Sequence, residues 1–196
     1  MAKKQKANAQ KPLSPEQYLT EKGRSLPIVK CTVNKDWQDA GEAIITVTRK
    51  HKQDSYTTGI YLVDTFCLGL KDTYHLFSMK GTDYDFFLEK LENDNDRTDI
   101  EYTEAHNLIY GAITFAEVAG IEPHKNFRVT QYILEEDTDD IPLIDYDFGI
   151  DGEHYLMANN KLEASKYLPI LQEHLGDKFT YCIADEEEND GDDEKK

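Results

Sequence analysis

The sequence predicts an α+β protein in which helices pack on an antiparallel sheet. In the first half of the chain, short β-branched runs alternate with polar connections at a spacing typical of antiparallel hairpins. The second half lacks the regular strand–helix alternation of a parallel sheet. Because 196 residues can bury one sizeable core, we expect a single domain over residues 14–184. We expect a disordered basic arm over residues 1–13 and a disordered acidic tail over residues 185–196.

Local signals predict the elements of the first half in order. Ser14 and Pro15 are typical of a helix start, and Gly23 is expected to end that helix. β-branched composition between turn residues predicts strands at 26–33, 42–51, 57–66 and 71–77. The second and third of these runs flank a short polar connection and are expected to form a long hairpin.

The hydrophobic period then changes to that of helices. Residues 82–92, 101–119 and 124–134 are predicted helices, and 101–119 is the strongest because its apolar residues recur every three or four positions. The segment IPLIDYDFGIDGEHYLMA predicts two strands joined at the turn Asp151-Gly152. A helix interrupted or bent at Pro169 and a last strand, KFTYCIA, complete the prediction.

Charge restricts the class of partner. The chain carries a net charge of −17, although its first twelve residues hold four lysines and no acid. An acidic body repels the phosphate backbone, so we expect no direct DNA binding. A basic protein surface or a nucleic-acid-handling assembly is the expected kind of partner. No run is long and apolar enough for a membrane span, and no secretory signal is evident, so a cytoplasmic location is expected.

The chain lacks the common sequence motifs for cofactors and metals. The chain has no phosphate-binding glycine loop, no GxSxG and no HExxH, so no cofactor is expected. Two acid-rich segments, NDNDRTDIE and EEDTDDIPLIDYDFGIDGE, lack the residue order of a calcium-binding loop and are interpreted as solvated. Cys31, Cys67 and Cys182 have no CxxC spacing and lie in apolar segments, which predicts buried, reduced thiols rather than a metal site.

The stretch GIYLVDTFCLGLKD, residues 59–72, contains the most constrained carboxylate. Strand alternation places Asp64 on the same face as Ile60 and Leu62, and a buried charge needs a cation or hydrogen-bond donors. One interpretation is structural: Asp64 caps the following turn and pairs with Lys71 or Arg49. The other is catalytic, with Asp64 as a strand-end carboxylate, as in ribonuclease H-like nucleases.

Four further residues are candidates for chemistry. Cys67 could act as a nucleophile if Lys71 or a histidine stabilised its thiolate. His106 and His124 could supply acid–base catalysis if the fold brought either of them to Asp64. For each, a buried or hydrogen-bonded structural role is the alternative.

Four segments together resemble a group of uncharacterised bacterial proteins. They are KGRSLPIVKCTVN, ITVTRKH, YLVDTFCLGLKDT and HNLIYGAITFAEVAGIEPHKNF, which contain an LVDxxCLGxK-type motif and a helix ending in a PHK-like turn. The resemblance spans residues 14–157. It implies a bacterial, cytosolic protein in which these segments fold together, and it implies no activity.

The sequence therefore favours a non-enzymatic binding or regulatory module that meets a macromolecular partner through an acidic surface. The alternative is a hydrolase or nuclease-like enzyme that uses Asp64 with His106 or His124. The sequence leaves the oligomeric state open.

Overall fold

A computed structural model describes residues 12–94 and 96–184 of the chain. Residues 1–11 of the predicted arm and the whole predicted tail lie outside these ranges. The described residues form an α+β fold, which confirms the predicted class.

The centre of the fold is a five-stranded antiparallel sheet with the strand order β4-β3-β2-β1-β5. The long hairpin predicted from residues 42–66 is present, and β2 pairs with β3 over its full length, from Glu42 opposite Asp64 to His51 opposite Ser55. The strands are β1 Ile28–Asn34, β2 Glu42–His51, β3 Ser55–Asp64, β4 Gly69–Lys80 and β5 Arg97–Asp99.

One face of this sheet holds the main core. Helix α4, Tyr102–Val118, is the strongly patterned helix predicted from the sequence, and it lays its apolar stripe on β1 to β4. Helix α1, Pro15–Lys22, begins with the predicted cap: Ser14 accepts from the Gln17 N–H, and the Gln17 side chain accepts from the Ser14 N–H. A single helical turn, α2 Trp37–Ala40, joins β1 to β2.

The opposite face of the sheet is lined by threonines and is covered by α3, Gly81–Asp94. The Thr32 and Thr46 hydroxyl groups lie 2.7 Å apart, and those of Thr48 and Thr58 lie 2.9 Å apart. Tyr84 of α3 donates its hydroxyl to Thr48. This face is therefore packed through hydrogen-bonded cross-strand pairs as well as apolar contacts.

A smaller unit follows the main sheet. β6, His154–Ala158, pairs in parallel with β7, Phe179–Ile183, through the helix α6, Lys161–Leu175. It encloses a second core in which Leu156, Ala164 and Leu171 pack against Cys67, Leu68 and Ala116 of the main body. The parallel pairing was not predicted from the sequence.

Two predictions for the second half are wrong. The helix expected over 124–134 is only one turn, α5 Phe127–Thr130, followed by a 3₁₀ turn, because the start of this segment binds β4: the His124 N–H donates to Leu70 O. The strand expected before Gly149 has no ladder, and only Ile150 and Glu153 bridge across the predicted turn. Of the two outcomes expected at Pro169, a bend or an interruption, the interruption is excluded because helix α6 is continuous there.

Candidate functional site

Asp64 ends β3 and caps the turn that leads to β4. Its Oδ1 accepts the N–H groups of Phe66, at 3.0 Å, and Cys67, at 2.8 Å, as the structural interpretation predicted. The side chain is 7% exposed, and burial raises the pKa of the carboxyl although these N–H groups and the Lys71 charge act in the opposite direction. The geometry is that of an Asx turn.

Gly69 allows this turn to pack closely against α4. Gly69 has a φ of +63°, and a Cβ at this position would lie 2.7 Å from the Ala116 Cβ and 2.8 Å from Ala112 O. Only glycine meets both conditions without strain. The turn is therefore a packing contact between the sheet and α4.

Neither cation predicted to pair with Asp64 forms an ion pair with it. Arg49 lies at the other end of the hairpin, opposite Thr57, and pairs with Glu135 at 2.6 Å. Lys71 lies close enough to influence the pKa of Asp64, but its ammonium is 3.1 Å from Glu42 Oε2. The turn N–H groups therefore replace a cation as the partners of Asp64.

Two of the three thiols are buried as predicted, and the third is not. Cys31 and Cys67 are buried, and desolvation raises the pKa of each to about 12, which opposes thiolate formation. Cys182 is exposed on β7, contrary to the prediction, because the small two-stranded sheet leaves that side of the strand uncovered.

His106 is a core residue of α4. It is 1% exposed and lies between the rings of Tyr102 and Tyr110, with centroid distances of 5.8 and 4.6 Å. Burial lowers the pKa of the imidazole, and its Nε2 has no hydrogen-bond partner in the described structure. This position offers no route for substrate to reach the ring.

Lys71 and His124 do share a surface cleft. Its volume is about 330 Å³, and Leu70, Ile121 and Ile170 form part of its lining. The His124 Nδ1 lies 3.2 Å from Asp72 Oδ1, so the imidazole forms an ion pair there when protonated. Asp64, Cys67 and His106 do not line this cleft. The structure thus brings two of the five candidates together and leaves the other three in buried positions.

The described residues also define an acidic strap, residues 135–147, that crosses α4 without helix or strand structure. It contains seven acidic residues and no Lys or Arg: Glu135, Glu136, Asp137, Asp139, Asp140, Asp145 and Asp147. Glu135 pairs with Arg49, and Glu136 pairs with Arg24 at 2.5 Å. Within the described residues, the five aspartates form no ion pair, and all are exposed.

Residues 142–146 of the strap are anchored by two side chains of the main body. Asn107 of α4 donates its Nδ2 to Pro142 O and accepts the Ile144 N–H at its Oδ1, both at 3.0 Å. Tyr146 packs edge-on against Trp37, with centroids 5.9 Å apart. Between these anchors, the Leu143 side chain is 86% exposed. The anchored residues 142–146 therefore present a large apolar side chain, Leu143, and the five exposed aspartates lie before and after it along the strap.

The acids of this segment were identified from the sequence, but the exposed, anchored Leu143 among them was not. The signal was present: thirteen residues contain seven acids and no Lys or Arg, and the acids flank the apolar run IPLI. The sequence predicted instead that the first strand of a hairpin occupies the part of this segment before Gly149.

The comparisons with known proteins do not indicate a function. No protein-family model matches the chain, and no curated protein or solved structure matches it. Within residues 12–94 and 96–184, no helix is long and apolar enough to cross a membrane. The same residues contain no group of three or more His, Cys, Asp or Glu side chains placed to hold a metal ion.

Proposed function

We propose that the protein is a non-enzymatic binding module whose acidic strap docks a basic surface of a macromolecular partner. The observation that carries this proposal is the exposed Leu143 on an anchored backbone, flanked by five aspartates that form no ion pair within residues 12–94 and 96–184. Isolated acidic loops are common on soluble proteins. An apolar side chain held at the centre of such a loop is a feature of interfaces, where an apolar anchor lies within a polar rim.

The anchoring of the strap supports this function energetically. Association costs conformational entropy when a loop must be ordered on binding. Asn107 already binds the strap backbone and Trp37 packs against the Tyr146 ring, so part of that cost is met during folding. The carboxylates can then steer a basic partner and set its orientation, while Leu143 supplies buried apolar area.

The chemistry of the strap indicates the kind of partner. A surface rich in Lys and Arg complements five aspartates, whereas a nucleic acid backbone is repelled by them. Proteins that bind nucleic acid carry such basic surfaces. We place the partner among basic proteins or nucleic-acid-handling assemblies, in a cytoplasmic setting.

The alternative function, a hydrolase that uses Asp64 with His106 or His124, has weaker support. Asp64 is engaged by backbone N–H groups, and the ring of His106 is 1% exposed. The Lys71–His124 cleft lacks a nucleophile from among the predicted residues. We therefore give precedence to the binding function.

Affinity purification from cell extract with matched charge variants tests the proposal. The strap variant replaces five aspartates with asparagine, and the control variant neutralises five exposed acids elsewhere on the described surface. The strap positions are Asp137, Asp139, Asp140, Asp145 and Asp147, and the control positions are Glu21, Asp85, Glu89, Glu117 and Glu173. A chain ending at residue 184 tests the tail separately.

We expect wild type and the control variant to recover the same basic proteins, and the strap variant to lose them. Recovery should fall as salt rises from about 50 to 200 mM, because exposed charges are screened within about 10 Å at 0.1 M. Equal recovery by the strap variant, or loss only on removal of residues 185–196, would contradict a docking role for the strap.

A further inference from the structure

The fold contains a second buried arginine besides Arg49. Arg97 of β5 lies beneath α3 on the threonine-lined face of the sheet and is 9% exposed. Its Nε donates to Thr32 Oγ1 at 3.0 Å, and its Nη2 donates to Thr32 Oγ1 at 2.9 Å and to Ile44 O at 2.6 Å. All of these acceptors are neutral. Burial lowers the pKa of the guanidinium.

Arg49, on the opposite face, shows how this fold satisfies a buried arginine. It is 1% exposed, its Nη2 meets the Glu135 carboxylate at 2.6 Å, and its other nitrogens donate to three backbone carbonyls. In the part of the chain that the structure describes, Arg97 has neither a carboxylate partner nor a full set of hydrogen-bond acceptors. Within the described residues it has no carboxylate within ion-pair distance, and its buried Nη1 has no hydrogen-bond partner. A buried charge without a counter-ion is costly.

Arg97 also lines a cavity. The space has a volume of about 100 Å³, and Lys30, Thr32 and Glu92 contribute to its walls with Leu88 and Leu91 of α3. Lys30 is held there by Asp99, whose two carboxylate oxygens accept from Nζ at 2.7 and 2.9 Å. The site thus combines a guanidinium and an ammonium with two carboxylates, those of Asp99 and Glu92, and Asp99 is already paired with Lys30.

We propose that this cavity is a binding site for a small tetrahedral oxyanion, phosphate or sulfate, with Arg97 as its main ligand. The anion supplies the counter-charge and the acceptor that Arg97 lacks, and the Lys30 ammonium adds a second positive charge beside it. The volume fits a single oxyanion group and is too small for a nucleotide. Glu92 forms no ion pair within the described residues, so its charge opposes the bound anion.

The test uses phosphate as the probe, with chloride at matched ionic strength as the reference. Isothermal titration calorimetry and thermal unfolding are recorded for wild type, R97M and E92Q. R97M removes the guanidinium and keeps an unbranched apolar chain beneath α3. E92Q removes only the opposing surface charge, so it keeps the experiment decisive if R97M folds poorly.

We expect wild type to bind one phosphate, and its Tm to rise by about 5–10 °C at a hundredfold excess over Kd. R97M should show neither effect, and E92Q should bind several-fold more tightly because a repelling charge near the anion is removed.

Three results would overturn the proposal. They are no phosphate binding by wild type, an equal rise of Tm in R97M from general salt stabilisation, or a loss of stability in phosphate-free E92Q showing that Glu92 itself is the counter-ion.

Discussion

Asp64 can be tested as a structural residue because its partners are backbone N–H groups rather than a substrate site. D64A removes the acceptor for Phe66 and Cys67 and leaves two N–H groups unpaired, so we expect a loss of about 1–3 kcal/mol in the free energy of unfolding. D64N keeps an oxygen acceptor and should lose less. Urea unfolding measures both variants, and equal losses would argue against the cap.

The thiols make a second residue-scale prediction. At pH 8, a disulfide reagent should label Cys182 quickly, and Cys31 and Cys67 only after unfolding, because the latter two are buried with pKa values of about 12. The reagent's absorbance counts one rapid thiol in wild type and none in C182S. Rapid labelling of C182S would show that Cys31 or Cys67 is accessible, and its persistence in C31S/C182S would assign it to Cys67 and reopen that residue's role as a nucleophile.

His106 should make stability depend on pH. Burial lowers the pKa of the imidazole in the folded chain, so below about pH 6.5 the unfolded chain binds more protons. The stability present above that pH is lost as pH falls through the lower folded pKa. In H106F, which keeps an aromatic ring between Tyr102 and Tyr110, this contribution should vanish.

The comparison is made by chemical denaturation between pH 5 and 8. Burial also lowers the pKa values of His51 and His75, but these residues are unchanged in both chains and cancel in the difference. Parallel pH profiles of wild type and H106F would contradict a neutral, buried His106.

At the scale of elements, Asn107 decides whether the strap is ordered. N107A removes the bonds to Pro142 and Ile144, so we expect residues 140–147 to become sensitive to a protease that cleaves after leucine or tyrosine. We also expect unfolding to cost about 1–3 kcal/mol less. N126A is the matched control, since Asn126 binds Thr73 O on β4 and does not contact the strap. Similar cleavage of both variants would separate Asn107 from strap order.

The elements also show which parts of the fold were predictable. Strands β1 to β4 and helix α4 were predicted because local composition and hydrophobic period determine them, whereas the short edge strand β5 was not predicted. The parallel pair β6–β7 was missed because its partners are joined only through α6. The segment before Gly149 was predicted as a strand because its residues alternate, and their burial does alternate from Leu143 to Phe148. Its backbone is bound by the Asn107 side chain instead of a neighbouring strand, which no local pattern predicts.

Local sequence patterns also predicted only part of the candidate site. Strand alternation correctly predicted a buried Asp64, and turn chemistry predicted its backbone partners. The pairing of Arg49 with Glu135 joins residues 86 positions apart, which no local pattern encodes. Arg97 appeared in the sequence as one base in an acidic break, and only its burial under α3 distinguishes it.

For the whole molecule, a net charge of −17 makes long-range attraction to basic partners strong and dependent on ionic strength. General charge attraction would act over the whole surface, including the acidic segment at residues 185–196. The proposed function is more specific, because it assigns the contact to five aspartates and one leucine of the strap.

Zero-length carbodiimide cross-linking in cell extract tests that assignment most directly, because it joins carboxylates only to amines in contact with them. Mass spectrometry of the tryptic peptides then identifies the linked positions. We predict that partner lysines are joined to Asp137, Asp139, Asp140, Asp145 or Asp147, and that L143A reduces the yield of these links. Links confined to residues 185–196, or spread evenly over the acidic surface and unaffected by L143A, would contradict the account.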